Sequence, residues 1–237
     1  MNTSDRIKEL FMFGGFVVNI ILGIRSLLAD KYVQSIFLGI LLIILIYLIY
    51  LHIKYIRFPF QMLLSEITLT IKDKEGKKAR CEKKHVFRIY RDNIVDRIVD
   101  KIIADGSIEN MSVSPGELRD ARKEVGMYHI ETGFRHSLPK QKEFEHSLSF
   151  DFINSFTKSI ESYSIFVDYP VTRKVIIKII FPRERECKES NMFLIKGILE
   201  KRLEKPSFSR LKDGRCQIHW ERKGLKMNDT YKLEWEW

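Results

Sequence analysis

The sequence predicts a membrane protein in two parts: a two-helix transmembrane hairpin, then an all-β cytosolic domain, a barrel or a sandwich of about eight or more strands. Three observations predict it. Two apolar runs of helical length stand at the N-terminus with four residues between them. Charge is distributed unevenly: the chain has 41 Lys and Arg against 31 Asp and Glu, but residues 1–57 hold only six basic and three acidic groups. Beyond Phe58-Pro59 the pattern changes to short alternating runs separated by turn residues.

The first apolar run, residues 10–28, is interrupted by Asn19 and Arg25, and the second, residues 33–51, has no charged residue. At ~1.5 Å per residue each would reach ~28 Å, close to the ~30 Å hydrocarbon core of a bilayer. The linker Ala29-Asp30-Lys31-Tyr32 is short enough to force an antiparallel pair. A cleaved signal peptide fits poorly, because the leading segment has no net charge and a second span follows at once. Arg6, Lys8, Lys54 and Arg57 flank the hairpin, so the positive-inside rule places both termini in the cytoplasm.

Within the first run Gly15, Asn19 and Gly23 fall four apart and line one helical stripe, suited either to packing against Gly39 of the second run or to self-association. Arg25 would snorkel to the headgroups or line a polar pore between protomers. Residues 1–57 are therefore one unit and residues 58–237 a β-rich one.

Strands are expected at residues 66–72, up to Arg91 after the turn Asp73-Lys74-Glu75-Gly76, and at 127–135, 144–152, 163–169, 173–181, 215–222 and 230–237. Alternation is strongest where Phe144, His146, Leu148, Phe150 and Phe152 share a face, and where Tyr231, Leu233, Trp235 and Trp237 do. Residues 94–103 are ambiguous: the spacing of Ile94, Ile98 and Ile102 is helical, yet the run is β-branched. Residues 192–204 are also ambiguous, and 118–124 read as a loop or short helix.

Catalytic motifs are missing from the sequence. It contains no GxxxxGK[ST], GxGxxG, GxSxG, HExxH or paired CxxC, and the six histidines show no metal spacing. Cys81, Cys187 and Cys216 suggest free thiols rather than a disulfide framework. The expectation is a protein that is not an enzyme and carries no cofactor. Polar side chains in the phase of apolar faces are candidate ligand contacts. Arg88 and Tyr90 share a strand face with Val86, Arg173 leads the face of Val175 and Ile177, and His146 lies among phenylalanines. Arginine with an aromatic ring suits a nucleotide, guanidinium for phosphate and ring for base. Interleaving of basic with acidic residues argues against DNA or RNA, and part of the basic surplus suits anionic lipid.

This layout, carried by residues 10–28, 33–51 and strand segments such as FEHSLSFDF, TRKVIIKIIF and TYKLEWEW, resembles the two-transmembrane, β-strand-rich effector family of bacterial antiphage systems. The resemblance implies a small β-barrel that senses a cyclic oligonucleotide second messenger. It also implies homo-oligomeric assembly of helices that disrupt the bacterial inner membrane, where the protein would be multi-pass. The alternative is a non-enzymatic, membrane-anchored β-sandwich that serves as a protein-interaction module.

Overall fold

The computed structural model describes Gly15 and residues 31–57, 60–92, 95–169 and 172–237, with helix side chains given for 35–51. The chain divides into two units, Met1–Arg57 and Phe58–Trp237.

In the first unit, α1 spans Lys31–Arg57. Among its described side chains, 35–51, most of the apolar ones are exposed, Ile36, Leu38, Ile43 and Ile46 among them. Among the described residues, however, no helix is long and apolar enough to cross a membrane. The expected two-helix transmembrane hairpin is corrected accordingly, and the multi-pass location in the inner membrane with it. Of the stripe assigned to helix assembly, Gly15 is helical, and a Cβ added there would meet nothing within 4 Å; Asn19, Gly23 and Arg25 lie outside the described residues.

The second unit is built of strands. Its first half contains β1 (Phe60–Ile71), β2 (Lys78–Ile89), β3 (Val95–Ile103), β4 (Ser107–Ser114), β5 (Glu117–Glu124), β6 (Met127–Leu138) and β7 (Gln141–Ile153). The second half contains β8 (Ile160–Phe166), β9 (Lys174–Ile180), β10 (Glu189–Lys196), β11 (Leu199–Arg202), β12 (Ser207–Arg210), β13 (Cys216–Lys223) and β14 (Thr230–Glu236). A seven-stranded sheet has the order β12-β13-β9-β1-β2-β7-β4, a four-stranded sheet β11-β10-β14-β8, and a three-stranded sheet β3-β6-β5. All ladders are antiparallel except β1 with β9, whose register pairs Ile67 with Ile177.

Alternation decides which face is buried. Ile67, Leu69, Phe150, Phe152, Ile177 and Ile218 of the large sheet share one core with Tyr163, Leu233 and Trp235 of the four-stranded sheet and Ile102 and Ile130 of the three-stranded one. The sheets have free ends and face one another across this core, so the arrangement is a sandwich and not a closed barrel. The second layer is split between β8 and β3. Across the split the Tyr169 hydroxyl donates to the Val99 carbonyl at 2.9 Å, and Lys101 Nζ meets Asp168 Oδ1 at 2.8 Å.

Residues 95–103 are strand, not helix. A bulge between Val95 and Arg97 puts Val95 and Ile98 on the same buried face, three apart, and so imitates a helical spacing. Residues 117–124 are also strand, although every residue is exposed and no alternation marks it; the ladder with β6 holds it at the sheet edge.

Candidate functional site

Where the second layer splits, the facing strands contribute polar side chains. Lys83 and His85 alternate inward from β2 in phase with Cys81 and Phe87, Asp100 points inward from β3, and His146 of β7 pairs directly with His85 in the ladder. All four are buried, His146 completely. The Lys83 ammonium contacts Asp100 Oδ1, and His85 Nε2 lies 3.1 Å from the same oxygen. The two imidazoles stack in parallel at 6.2 Å between centroids, and Phe134 meets His146 edge-on at 6.4 Å.

Burial raises the Asp100 carboxyl, but the Lys83 ammonium and then His85 overcome that penalty and hold it well below the usual carboxylate range. For His146 burial dominates in the other direction: its pKa falls to about 4, Asp100 opposing the shift and His85 and Lys83 adding to it. His146 is therefore neutral at pH 7. Both of its ring nitrogens, His85 Nδ1 and Asp100 Oδ2 lack a hydrogen-bond partner among the described residues.

A cavity of about 30 Å³ borders Lys83, His85 and Asp100, with Ser65, Tyr163 and Thr172 also in its wall. That volume is room for about one water. Ser65 stands opposite His85 in the β1/β2 register, so serine, histidine and aspartate are gathered by type. The aspartate is occupied by Lys83, and no acyl group fits the space. Among the described residues no group of three or more His, Cys, Asp or Glu could hold a metal ion.

The depressed His146 value has a measurable consequence. Above the unfolded-state pKa of ~6.5 neutral burial costs no proton; as pH falls from ~6.5 toward ~4, the unfolded chain takes up a proton that the folded one refuses. Stability is expected to drop by about 2–3 kcal/mol over that window from this group alone. Urea unfolding of wild type and His146→Phe at neutral and mildly acidic pH measures it, the variant losing less. Parallel losses in the two proteins would assign the acid sensitivity elsewhere.

The other expected ligand contacts lie apart. Arg88 and Tyr90 are half-buried on the opposite face of β2 from His85; Arg88 Nε is buried without a partner among the described residues, and the Tyr90 hydroxyl donates to Gln61 Oε1 at 2.6 Å. Arg173 precedes β9 and is exposed, anchored by its main chain to Met62 and Gly224. His146 and Arg88 thus serve opposite faces of one sheet, and the four do not form a single site. Lys83, His85 and Asp100 do not stand out in the sequence by motif or spacing. A signal exists for two of them: Lys83 and His85 stand in phase with Cys81, Phe87 and Ile89, where an alternating strand places its core.

No protein-family model and no curated protein matches the chain. Among solved structures, an M1 zinc metallopeptidase from Deinococcus radiodurans is similar at TM-score 0.40 and 7% identity, over 74% of this chain and 42% of that one. A mutant of that enzyme bound to a Tyr-Ser-Ala substrate gives TM-score 0.41 at the same identity and coverage. A two-domain M1 zinc metallopeptidase mutant bound to L-tryptophan gives 0.42, again at 7% identity and with 42% of its length spanned. Likeness at this level brings neither an activity nor a substrate to this chain.

Proposed function

We propose that residues 58–237 form a non-enzymatic β-sandwich module that works by recognition at its surface. The observation that supports this reading is the closure of the Lys83–His85–Asp100–His146 cluster. Its members are at most 8% exposed, and the adjoining cavity holds about one water. Ionisable groups with shifted pKa values commonly mark catalytic clefts, but a cleft must admit a reacting molecule, and here the shifts arise from burial and ion pairing inside the core. The cluster serves to specify how the split second layer seats on the large sheet.

The test is turnover. The full chain is expected to release no product from chromogenic peptide, ester and phosphoester substrates. Turnover that disappears in His85→Ala while the fold persists would overturn the reading.

A second, finer reading keeps one observation. Arg88 is half-buried, and its guanidinium suits an anionic oxygen, as a cyclic oligonucleotide would supply. Calorimetry against cyclic di- and trinucleotides, with Arg88→Ala as control, decides it; heat of binding that is unchanged in the variant would remove Arg88 from the site.

A further inference from the structure

One end of the sandwich combines unpaired cations with bare apolar tips. It is the end at which β1 begins. Arg173 N donates to Met62 O at 3.1 Å, and Gly224 N donates to Arg173 O at 3.0 Å, so the start of β9 and the exit of β13 lie beside the start of β1. Lys223 pairs with Lys174 in that ladder. From there the chain reaches Asp229, whose carboxylate meets Lys196 at 3.4 Å and so brings the β10–β11 hairpin alongside.

That hairpin turns through only two residues, Gly197 and Ile198, since Lys196 already pairs with Leu199. Gly197 supplies the positive φ, 59°, that the tight turn needs. Ile198 is consequently 101% exposed and Leu199 72%, with Met227 of the neighbouring loop at 41%. Arg173, Lys223 and Lys226 are exposed beside them, and none has an ion-pair partner among the described residues.

From this arrangement we infer that this end of the sandwich docks on an anionic lipid surface, the apolar tips entering the headgroup–acyl boundary and the three cations meeting lipid phosphates and carboxylates. The inference rests on the recognition-module reading and names its partner. Protruding aliphatic side chains at the same end as unpaired cations are the pattern of an interfacial contact. A single-stranded nucleic acid would be served by flat aromatic platforms, and Ile198, Leu199 and Met227 provide none.

Co-sedimentation of the full chain with vesicles tests this. Phosphatidylcholine vesicles measure binding that is indifferent to charge, including any through the apolar helix. Vesicles with about one third phosphatidylserine are expected to bind about tenfold tighter. The variant Arg173→Glu/Lys223→Glu/Lys226→Glu should lose that preference, and Ile198→Ser/Leu199→Ser should weaken binding to the anionic vesicles severalfold. All five side chains are exposed, and unchanged thermal unfolding identifies variants that retain the fold; the single changes Lys226→Glu and Ile198→Ser repeat the comparison if a multiple variant does not.

Equal binding to both vesicle types, or a preference that survives charge reversal, overturns the proposal. So does charge reversal that abolishes binding of an RNA oligonucleotide while leaving vesicle binding intact. Loss of the vesicle preference together with substrate turnover would leave this surface standing and take down the non-enzymatic reading instead.

Discussion

Asp100→Ala is expected to destabilise the sandwich by about 3–5 kcal/mol, the range found when one member of a buried ion pair is removed. Asp100 is the anion to which both Lys83 and His85 turn, and Lys83, whose ammonium it neutralises, is only 8% exposed. Without the carboxylate, Lys83 must either leave the core or remain in it as an uncompensated charge. Either outcome disturbs the seating of β3 on β2 at the split of the second layer. Against a typical total stability of ~5–15 kcal/mol the loss is large enough to leave much of the protein unfolded at moderate temperature.

The companion variant separates charge from shape. Lys83→Met/Asp100→Leu removes both partners and fills the same space with apolar groups, so it should regain most of the stability, as such replacements are often neutral or stabilising. Urea midpoints for the parent, single and double variants give the answer. A single variant within ~1 kcal/mol of the parent would show that the pair contributes little and that the split layer is held by its apolar contacts.

The same cluster shows what a strand pattern discloses and what it hides. Alternation over 144–152 places Phe144, His146, Leu148, Phe150 and Phe152 on one face, and the structure buries all five. Turn residues at 73–76 separate β1 from β2 where the sequence separates them. Period two reports which residues share a face, but not which face is covered. Arg88 and Tyr90 do share a face, and it is the outer one; the covered face carries Lys83 and His85. Their anion comes from β3, a strand whose bulge hides its period, and alternation does not say which strand of the other layer a residue will face. Edge strands are still less legible. β5 pairs along its length with β6 but buries no side chain, so the ladder that holds it leaves no trace in its hydrophobic pattern. At the N-terminus, apolar length alone suggests two spans, and the described helix supports none.

The C-terminal strand carries the other large effect. Trp237→Ala is expected to cost about 3–5 kcal/mol, the range for emptying a buried aromatic site. The ring is 5% exposed and packs edge-on against Phe181 at 6.0 Å between centroids. Its Nε1 donates to Lys158 O at 2.6 Å, and the Arg185 guanidinium lies over it at 3.8 Å. That guanidinium also donates to the carbonyls of Lys74 at 3.0 Å and Lys158 at 3.2 Å, so the indole supports a clasp between the β1–β2 turn and the segment leading into β8. Gly76 completes the fit: it holds φ at 72°, and a Cβ there would lie 2.9 Å from the indole and 1.7 Å from the Phe156 carbonyl oxygen. Trp237→Phe keeps most of the packing and removes the hydrogen bond, at a smaller expected cost of about 1–2 kcal/mol because Lys158 O retains Arg185 as donor. Denaturant unfolding of the two variants should rank them in that order, with alanine the more damaging. Equal stability of Trp237→Ala and the parent would mean that the clasp closes without its indole, and that the edge of the core at β14 is held by Trp235 and Phe156 alone.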